Sequence, residues 1–289
     1  KNPFDFALWK SAKEGEPYWE SPWRKGRPGW HIECSVMNYV TFGDQIDIHG
    51  GGRDLLFPHH ENEIAQSESL TDKQFAKYWI HNGLIRVNGQ KMSKSLGNSL
   101  LMKDLRVKYH IEAIKFALLQ NSYHTDINIT EKLFEDAEKH LYNFYKVLKE
   151  AKENFGNFAG KDEKVENDFD EAMRDDLNTS KALSYLFNIF KVAREKIKDN
   201  DKSVMATLNS VIETYSLLGL FLEEPEKYIN FVDEKEKTEI PDEVKILAEK
   251  RWQAKKERNF AKADELRNEI LKMGFEVKDT REGYDINKI

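Results

Sequence analysis

The chain has 289 residues but a single cysteine, Cys34. One thiol excludes an intrachain disulfide and leaves Cys34 as metal ligand, nucleophile or small core residue. Nowhere do about 18 apolar residues run together, the length a membrane span requires, so no span is predicted and no membrane partner is expected. The opening residues lack the basic-then-apolar pattern of a secretory signal. With the lone thiol, this makes the reducing cytoplasm the expected location. Excess positive charge is also missing: the formal net charge is -6. Bulk charge therefore does not recruit a polyanion, although local clusters can. One such cluster is Arg86, Lys91, Lys94, Lys103, Arg106 and Lys108; another is Lys250, Arg251, Lys255, Lys256, Arg258 and Lys262. Either could instead be a solvated helix or loop face.

What is present is enough for two or three folded domains: 39% hydrophobic and 12% aromatic residues, with 33% charged. Five of the seven prolines and most glycines fall in the first hundred residues, with Trp9, Trp19, Trp23 and Trp30. Such a stretch reads as strands and loops carrying a site. Ile46 and Ile48 alternate with polar neighbours before His49-Gly50-Gly51-Gly52, which predicts a short strand entering a glycine loop. Leu55 to Leu70 has helical spacing, with Pro58 in the first turn.

After Lys108 the pattern becomes helical, starting with Ile114, Ala117 and Leu118. Thr130 is a candidate N-cap for a helix from Glu131 to about Asn154. A polar connection is expected over Gly156–Asp168. A helix then follows Asn178-Thr179, with Leu183, Leu186, Phe187 and Phe190 on one face, and another covers Ser203 to Leu222. Glu223 to Asp242, charged and marked by Pro225 and Pro241, reads as a linker. Helices from about Asp242 and near Ala261–Met273 and a strand at Phe275–Val277 close the chain.

Two constellations carry chemistry. Lys91-Met92-Ser93-Lys94-Ser95, followed by Leu96-Gly97-Asn98, places two lysines three apart on a loop. Together with hydroxyls and amides they can hold a triphosphate and stabilise charge on a reacting α-phosphate. The second is Cys34 with His59 and Glu63. The latter two, four apart, share a helix face, and all three are zinc ligand types. On residues alone the zinc signal is weak, and a buried Cys34 beside a coincidental pair is the favoured reading.

The first constellation resembles the KMSKS signature of class I aminoacyl-tRNA synthetases. Gly29-Trp30-His31-Ile32-Glu33-Cys34-Ser35, the run from Asp47 through His49-Gly50-Gly51-Gly52 to Pro58-His59-His60-Glu61-Asn62-Glu63, and the opening Asn2-Pro3-Phe4-Asp5-Phe6-Ala7-Leu8-Trp9-Lys10 resemble blocks of the cysteinyl-tRNA synthetase family. Asp175-Asp176-Leu177-Asn178-Thr179 and the stretch from Arg251 to Arg267 resemble its later segments. The resemblance is close over the first hundred residues and looser beyond.

That resemblance implies an α/β Rossmann-like class I catalytic domain, here partial, over residues 1–108. It implies a helical stem-contact and bundle region over 109–235 and a small α+β anticodon-binding domain over 240–289. It implies ATP (with Mg2+), cysteine and tRNA(Cys) as substrates, one Zn2+ per chain, and a monomer. The zinc ligands would be Cys34, His59 and Glu63. Catalytic roles would fall to Lys91, Lys94, His31 and His49. ATP would meet Gly51, Gly52, Asp54 and Lys94, and cysteine would meet Trp30 and His60. Lys255, Asp264, Arg267 and Asp279 would contact tRNA; Lys255 stands where the family often has arginine. Neither the family's HIGH-type motif nor its early zinc cysteine is in the sequence. Both are expected upstream of Lys1, and the piece alone is expected to be inactive. A cysteine ligase acting on a sugar amine would share the zinc and ATP blocks but needs no C-terminal reader. A non-catalytic tRNA-binding fragment would not need the pocket residues.

Overall fold

The computed structural model describes residues 5–92, 100–238, 240–280 and 283–288. The chain forms two compact units: residues 1–105, 116–134 and 168–185 make the first, and 106–115, 135–167 and 186–289 the second.

The first unit opens with an antiparallel ribbon, β1 (Trp9–Ser11) against β2 (Gly26–Pro28). Gly29 then leads into helix α1 (Trp30–Phe42). A Cβ on Gly29 would lie 2.0 Å from the Ala7 carbonyl oxygen, so only glycine permits this approach. Strand β3 (Ile46–Gly52) runs parallel to β4 (Ala76–Asn82), with helix α2 (Glu61–Thr71) between them in the chain. This is a βαβ unit, and parallel strands require such a crossover. Ile46, Phe75 and Ala76 form its core, with Ile64 and Trp79 packed against them. A second sheet joins the hairpin β5 (Ile85–Val87) and β6 (Gln90–Lys91) to β7 (Ile127–Ile129), which lies parallel to β5. Its turn is Asn88-Gly89, both with positive φ, as a two-residue hairpin demands.

Three sequence expectations change here. The strand does not stop before the glycines: β3 continues to Gly52. Ile48 does not share the burial of Ile46, because it is 61% exposed. The helix expected from Leu55 begins only at Glu61. Arg53–Leu55 form a 3-10 turn and Leu56–His60 a wide turn in which Phe57 is extended. The residue before a proline is pushed out of the helical region, and here Pro58 follows.

Helices α3 (Met102–Lys108), α4 (Ile111–Leu119), α5 (Glu131–Phe155), α6 (Glu163–Arg174), α7 (Thr179–Lys198) and α8 (Val204–Tyr215) follow. Thr130 caps α5 as expected, its hydroxyl accepting from Leu133 N at 3.3 Å. Within the second unit, Phe144 stacks on Phe190 at 4.4 Å and Tyr145 on Tyr228 at 4.2 Å. Buried Glu112 accepts from Tyr145 OH, Phe221 N and Leu222 N at 2.8, 2.8 and 2.9 Å. That carboxylate replaces lost hydration with three donors, the condition for burying a charge.

The polar connection after Gly156 is shorter than read from sequence, since α6 begins at Glu163. Phe187 leaves the buried face of Leu183, Leu186 and Phe190 and is 42% exposed. The expected linker after Glu223 is instead helix α9 (Pro225–Thr238). Pro225 suits a first helical position, and Tyr228, Ile229 and Val232 give the helix a buried face.

The second unit ends in α10 (Asp242–Lys256), α11 (Phe260–Lys272) and an antiparallel hairpin of β8 (Phe275–Asp279) and β9 (Tyr284–Lys288). Val244, Ala248, Ile270, Phe275 and Val277 form its core. Asn259 caps α11 by accepting from Lys262 N. The final strand was not anticipated.

Candidate functional site

The βαβ unit and α1 gather the candidate site. Trp30 and Cys34 sit one turn apart on α1, while His49, Gly51 and Gly52 come from β3. His59 and His60 close the wide turn and Glu63 lies in the first turn of α2. The kink at Phe57 does not break the pairing of His59 with Glu63, because both lie beyond it. An open cleft lined by Cys34, Asn38, His49, Gly50, Leu55, His59, His60 and Glu63 results.

Glu63 is the centre of this arrangement and is 1% exposed. His59 Nε2 lies 2.7 Å from its Oε1 and His49 Nε2 lies 2.8 Å from its Oε2. Neither ring is aligned for a hydrogen bond, so both carboxylate oxygens are buried without an aligned donor. A buried carboxylate left so is costly unless a cation or proton completes it. Ligand atoms of Cys34, His59 and Glu63 all lie within 4.8 Å of one another, as do those of His49, His60 and Glu63. Thiolate, imidazole and carboxylate together suit zinc. A neutral His59 offering Nε2 carries its proton on Nδ1, and His31 Nδ1 stands 2.8 Å away to accept it. Such outer contacts fix a ligand's tautomer and orientation.

Burial, then neighbouring His59, holds His31 below the ordinary imidazole range, and burial does the same for His60. Both rings are therefore neutral at pH 7. Burial, with Glu63 close by, pushes the Cys34 thiol up. Burial also works to raise Glu63, but the close approach and charge of His49 and the charge of His59 outweigh it and the net shift is down. A bound cation would reverse the thiol's preference, since coordination favours thiolate.

Aromatic rings wall the cleft. Trp30 stacks on His59 at 4.5 Å and on His31 at 5.4 Å. Gly51 must be glycine because a Cβ there would come within 2.7 Å of the buried His60 ring. A Cβ on Gly52 would meet Asp54 Oδ1 at 2.5 Å, which places the Asp54 carboxylate against the end of β3. The structure thus brings Trp30, His31, Cys34, His49, Gly51, Gly52, Asp54, His59, His60 and Glu63 into one region. Lys91 ends the short strand β6; its side chain, and Lys94 with the rest of 93–99, lie outside the described residues.

Sequence reasoning missed His81 as a site residue. It sits near the end of β4, with Nε2 2.8 Å from His60 Nδ1 and its ring parallel to Trp79. The parallel register, Gly51 opposite His81, is what joins them.

In the C-terminal part of the second unit, Asp264 and Arg267 are exposed on α11. Asp279 is engaged: Arg251 grips both its oxygens at 2.8 and 3.1 Å and Lys255 adds a contact at 2.5 Å. These charges hold its carboxyl at about 2.

Comparison with known proteins bears on the family. The family model "tRNA synthetases class I (C) catalytic domain" matches residues 1–139, and the "DALR domain" model matches residues 168–223. A cysteine–tRNA ligase of Caldicellulosiruptor saccharolyticus is 43% identical over 300 residues, covering 100% of this chain and 63% of the relative. One from Legionella pneumophila strain Corby is 44% identical over 290 residues, covering 100% of this chain and 61% of the relative. The chain therefore spans about three-fifths of the length of the curated relatives it matches. Among solved structures, the LeuRS–tRNA–LeuAMS ternary complex from Agrobacterium radiobacter K84 is similar in fold. Its TM-score is 0.53 at 15% identity, over 76% of this chain and 38% of that one. With catalytic-domain and DALR matches in order along it, and relatives aligned from end to end, the chain belongs to the cysteinyl-tRNA synthetase family of class I tRNA synthetases.

Proposed function

We propose that the whole protein is a cytoplasmic cysteine–tRNA ligase. It joins the carboxylate of cysteine to the α-phosphate of ATP, releasing pyrophosphate, and then transfers the cysteinyl group from that adenylate to the terminal ribose of tRNA(Cys), releasing AMP. The observation that carries this reading is the convergence of Cys34, His59 and Glu63 on one point at the mouth of the glycine strand. The buried, undonated carboxylate of Glu63 supports a metal there.

Zinc held by these residues would bind the substrate thiolate in preference to a hydroxyl, because thiolate is the softer ligand. A hydrophobic pocket discriminates weakly between substrates that differ by one small group, so serine is excluded by ligand chemistry rather than by size. Around that point the chain's own residues do the positioning. His31 fixes the tautomer of His59, Trp30 covers its ring, and His60 packs onto Gly51, where the adenosine of ATP is expected to lie with Gly52 and Asp54. Neutral His31 and His60 donate or accept hydrogen bonds without adding charge. Lys91 and Lys94 would meet the phosphates, with Mg2+ accompanying the nucleotide, and Lys94 would stabilise charge that develops on the α-phosphate.

We assign tRNA contact to the residues after 109. The last fifty would read single-stranded anticodon bases through edge hydrogen bonds and stacking, with Asp264 and Arg267 free to do so and Lys255 and Asp279 acting as a pair. Cysteine-dependent exchange of labelled pyrophosphate into ATP tests the first half-reaction and charging of tRNA(Cys) the second. The expected result is exchange with cysteine and none with serine. Equal exchange with serine, or none with either, would refute the reading.

A further inference from the structure

The strand that ends in Gly51 and Gly52 and the hairpin that leads into the signature loop meet on a single carboxylate. Asp126 accepts from Arg53 Nη2 at 2.8 Å and from Arg86 Nη2 at 3.2 Å. Its Oδ1 also accepts from the Leu84 amide at 3.0 Å. Arg53 follows Gly52 directly and shares a 3-10 turn with Asp54. Arg86 lies in β5, where it is directly opposite Lys91 of β6 in the hairpin register. Asn128, two residues beyond Asp126, accepts from Gly89 N at 2.7 Å in the hairpin turn. Gly83 donates to the Tyr123 carbonyl at 2.7 Å, and a Cβ on Gly83 would fall 2.1 Å from the Thr125 carbonyl oxygen. The segment 123–129 is therefore clasped along the whole stem of the hairpin.

Ion pairs at this exposure, with about half of each arginine side chain open to solvent, stabilise a fold little. Their consequence is geometric. Asp126 offsets the charge of Arg86 in the stem of the hairpin. The same carboxylate anchors Arg53 at the nucleotide end of β3. The Leu84 amide, and against a smaller burial cost the two guanidinium groups, keep its carboxyl below the usual range, so it is ionised at neutral pH.

We propose that Asp126 is a positioning residue for the ATP step, setting the stem of the signature-loop hairpin against the glycine strand through Arg53 and Arg86. The inference rests on the ligase reading above. Adenylate formation depends on phosphate ligands and reacting groups being held in register, and displacements of about 1 Å cost up to about 10²-fold in rate.

The test uses Asp126→Asn in the whole protein, which keeps an oxygen for the Leu84 amide and removes the charge. In cysteine-dependent pyrophosphate exchange, kcat should fall about ten-fold and KM for ATP should rise several-fold, with KM for cysteine unchanged. Asp126→Glu should recover much of the loss. Arg53→Ala should reproduce part of it and add little to Asp126→Asn, because both act on one contact. Should Asp126→Asn fail to fold, Arg53→Ala and Arg86→Ala carry the same ATP-against-cysteine comparison. An active wild type with an Asp126→Asn variant unchanged in kcat and KM for ATP overturns the positioning role alone. Equal changes in KM for ATP and cysteine overturn it too, since they report general loosening. A wild type with no cysteine-dependent exchange overturns the ligase reading itself.

Discussion

The cleft around Glu63 and the hairpin-capped module after residue 240 treat charge in opposite ways. In the cleft a carboxylate is buried at 1% exposure with no aligned donor, and imidazoles crowd it. In the module Asp279 is met by a bidentate arginine and a lysine near the surface. The first arrangement is incomplete as protein and asks for a cation. In the second both carboxylate oxygens have cationic donors, and Asp264, Arg267 and exposed Phe260 face outward. On the reading proposed above, adenylate chemistry belongs to the first unit, and changes in the module are expected to spare it.

The largest expected effect falls on the signature loop. Lys94→Ala in the whole protein should slow cysteine-dependent pyrophosphate exchange by about 10²-fold or more, as loss of a charge acting in the transition state does, with little change in cysteine affinity. Rates within a few-fold of wild type would remove Lys94 from the mechanism and weaken the contrast.

The next effect separates the two regions directly. Deleting Asp242–Ile289 should leave pyrophosphate exchange within about two-fold and reduce charging of tRNA by about 10- to 100-fold, the scale of a few lost base and phosphate contacts. Having lost phosphate contacts, the truncated form should show a shallower salt slope, so the defect should be largest at low salt and shrink as salt rises. Parallel loss of both reactions in a folded protein would show that the regions are coupled.

The smallest effect concerns the module's own ion cluster. The Asp279 carboxyl is at about 2 in the folded protein, below its unfolded value of about 3.9. A depressed folded value contributes stability that is present above the unfolded value and disappears as pH falls from about 4 to about 2. Because the side chain is 35% exposed, screening limits this to about 1 kcal/mol. Hydrogen exchange of the β8–β9 amides should show Asp279→Asn less protected at pH 7 and the difference closing toward pH 2. A pH-independent difference would assign the effect to packing.

Much of the site was legible because it is carried by contiguous blocks: the residues from Gly29 to Ser35 and from Asp47 to Glu63 fix letter and spacing together. Helical periodicity likewise exposed α5, α7 and α11. What escaped has physical causes. Helix α9 was read as a linker because its charges outnumber its few buried residues, and only packing shows that Tyr228, Ile229 and Val232 share an inward face. Ile48 alternates like a core residue, yet is exposed in this structure. His81 and Asp126 join their partners across 21 and 73 residues of sequence. Such contacts come from strand register and leave no local pattern to read.

The central claim is that Cys34, His59 and Glu63 hold a zinc ion that selects the thiol of cysteine. Metal analysis of the purified whole protein beside its Cys34→Ala variant tests it most directly. The account predicts one zinc per chain in the wild type and a large loss in the variant, with the fold retained by circular dichroism. Zinc stoichiometry unchanged by Cys34→Ala would contradict it.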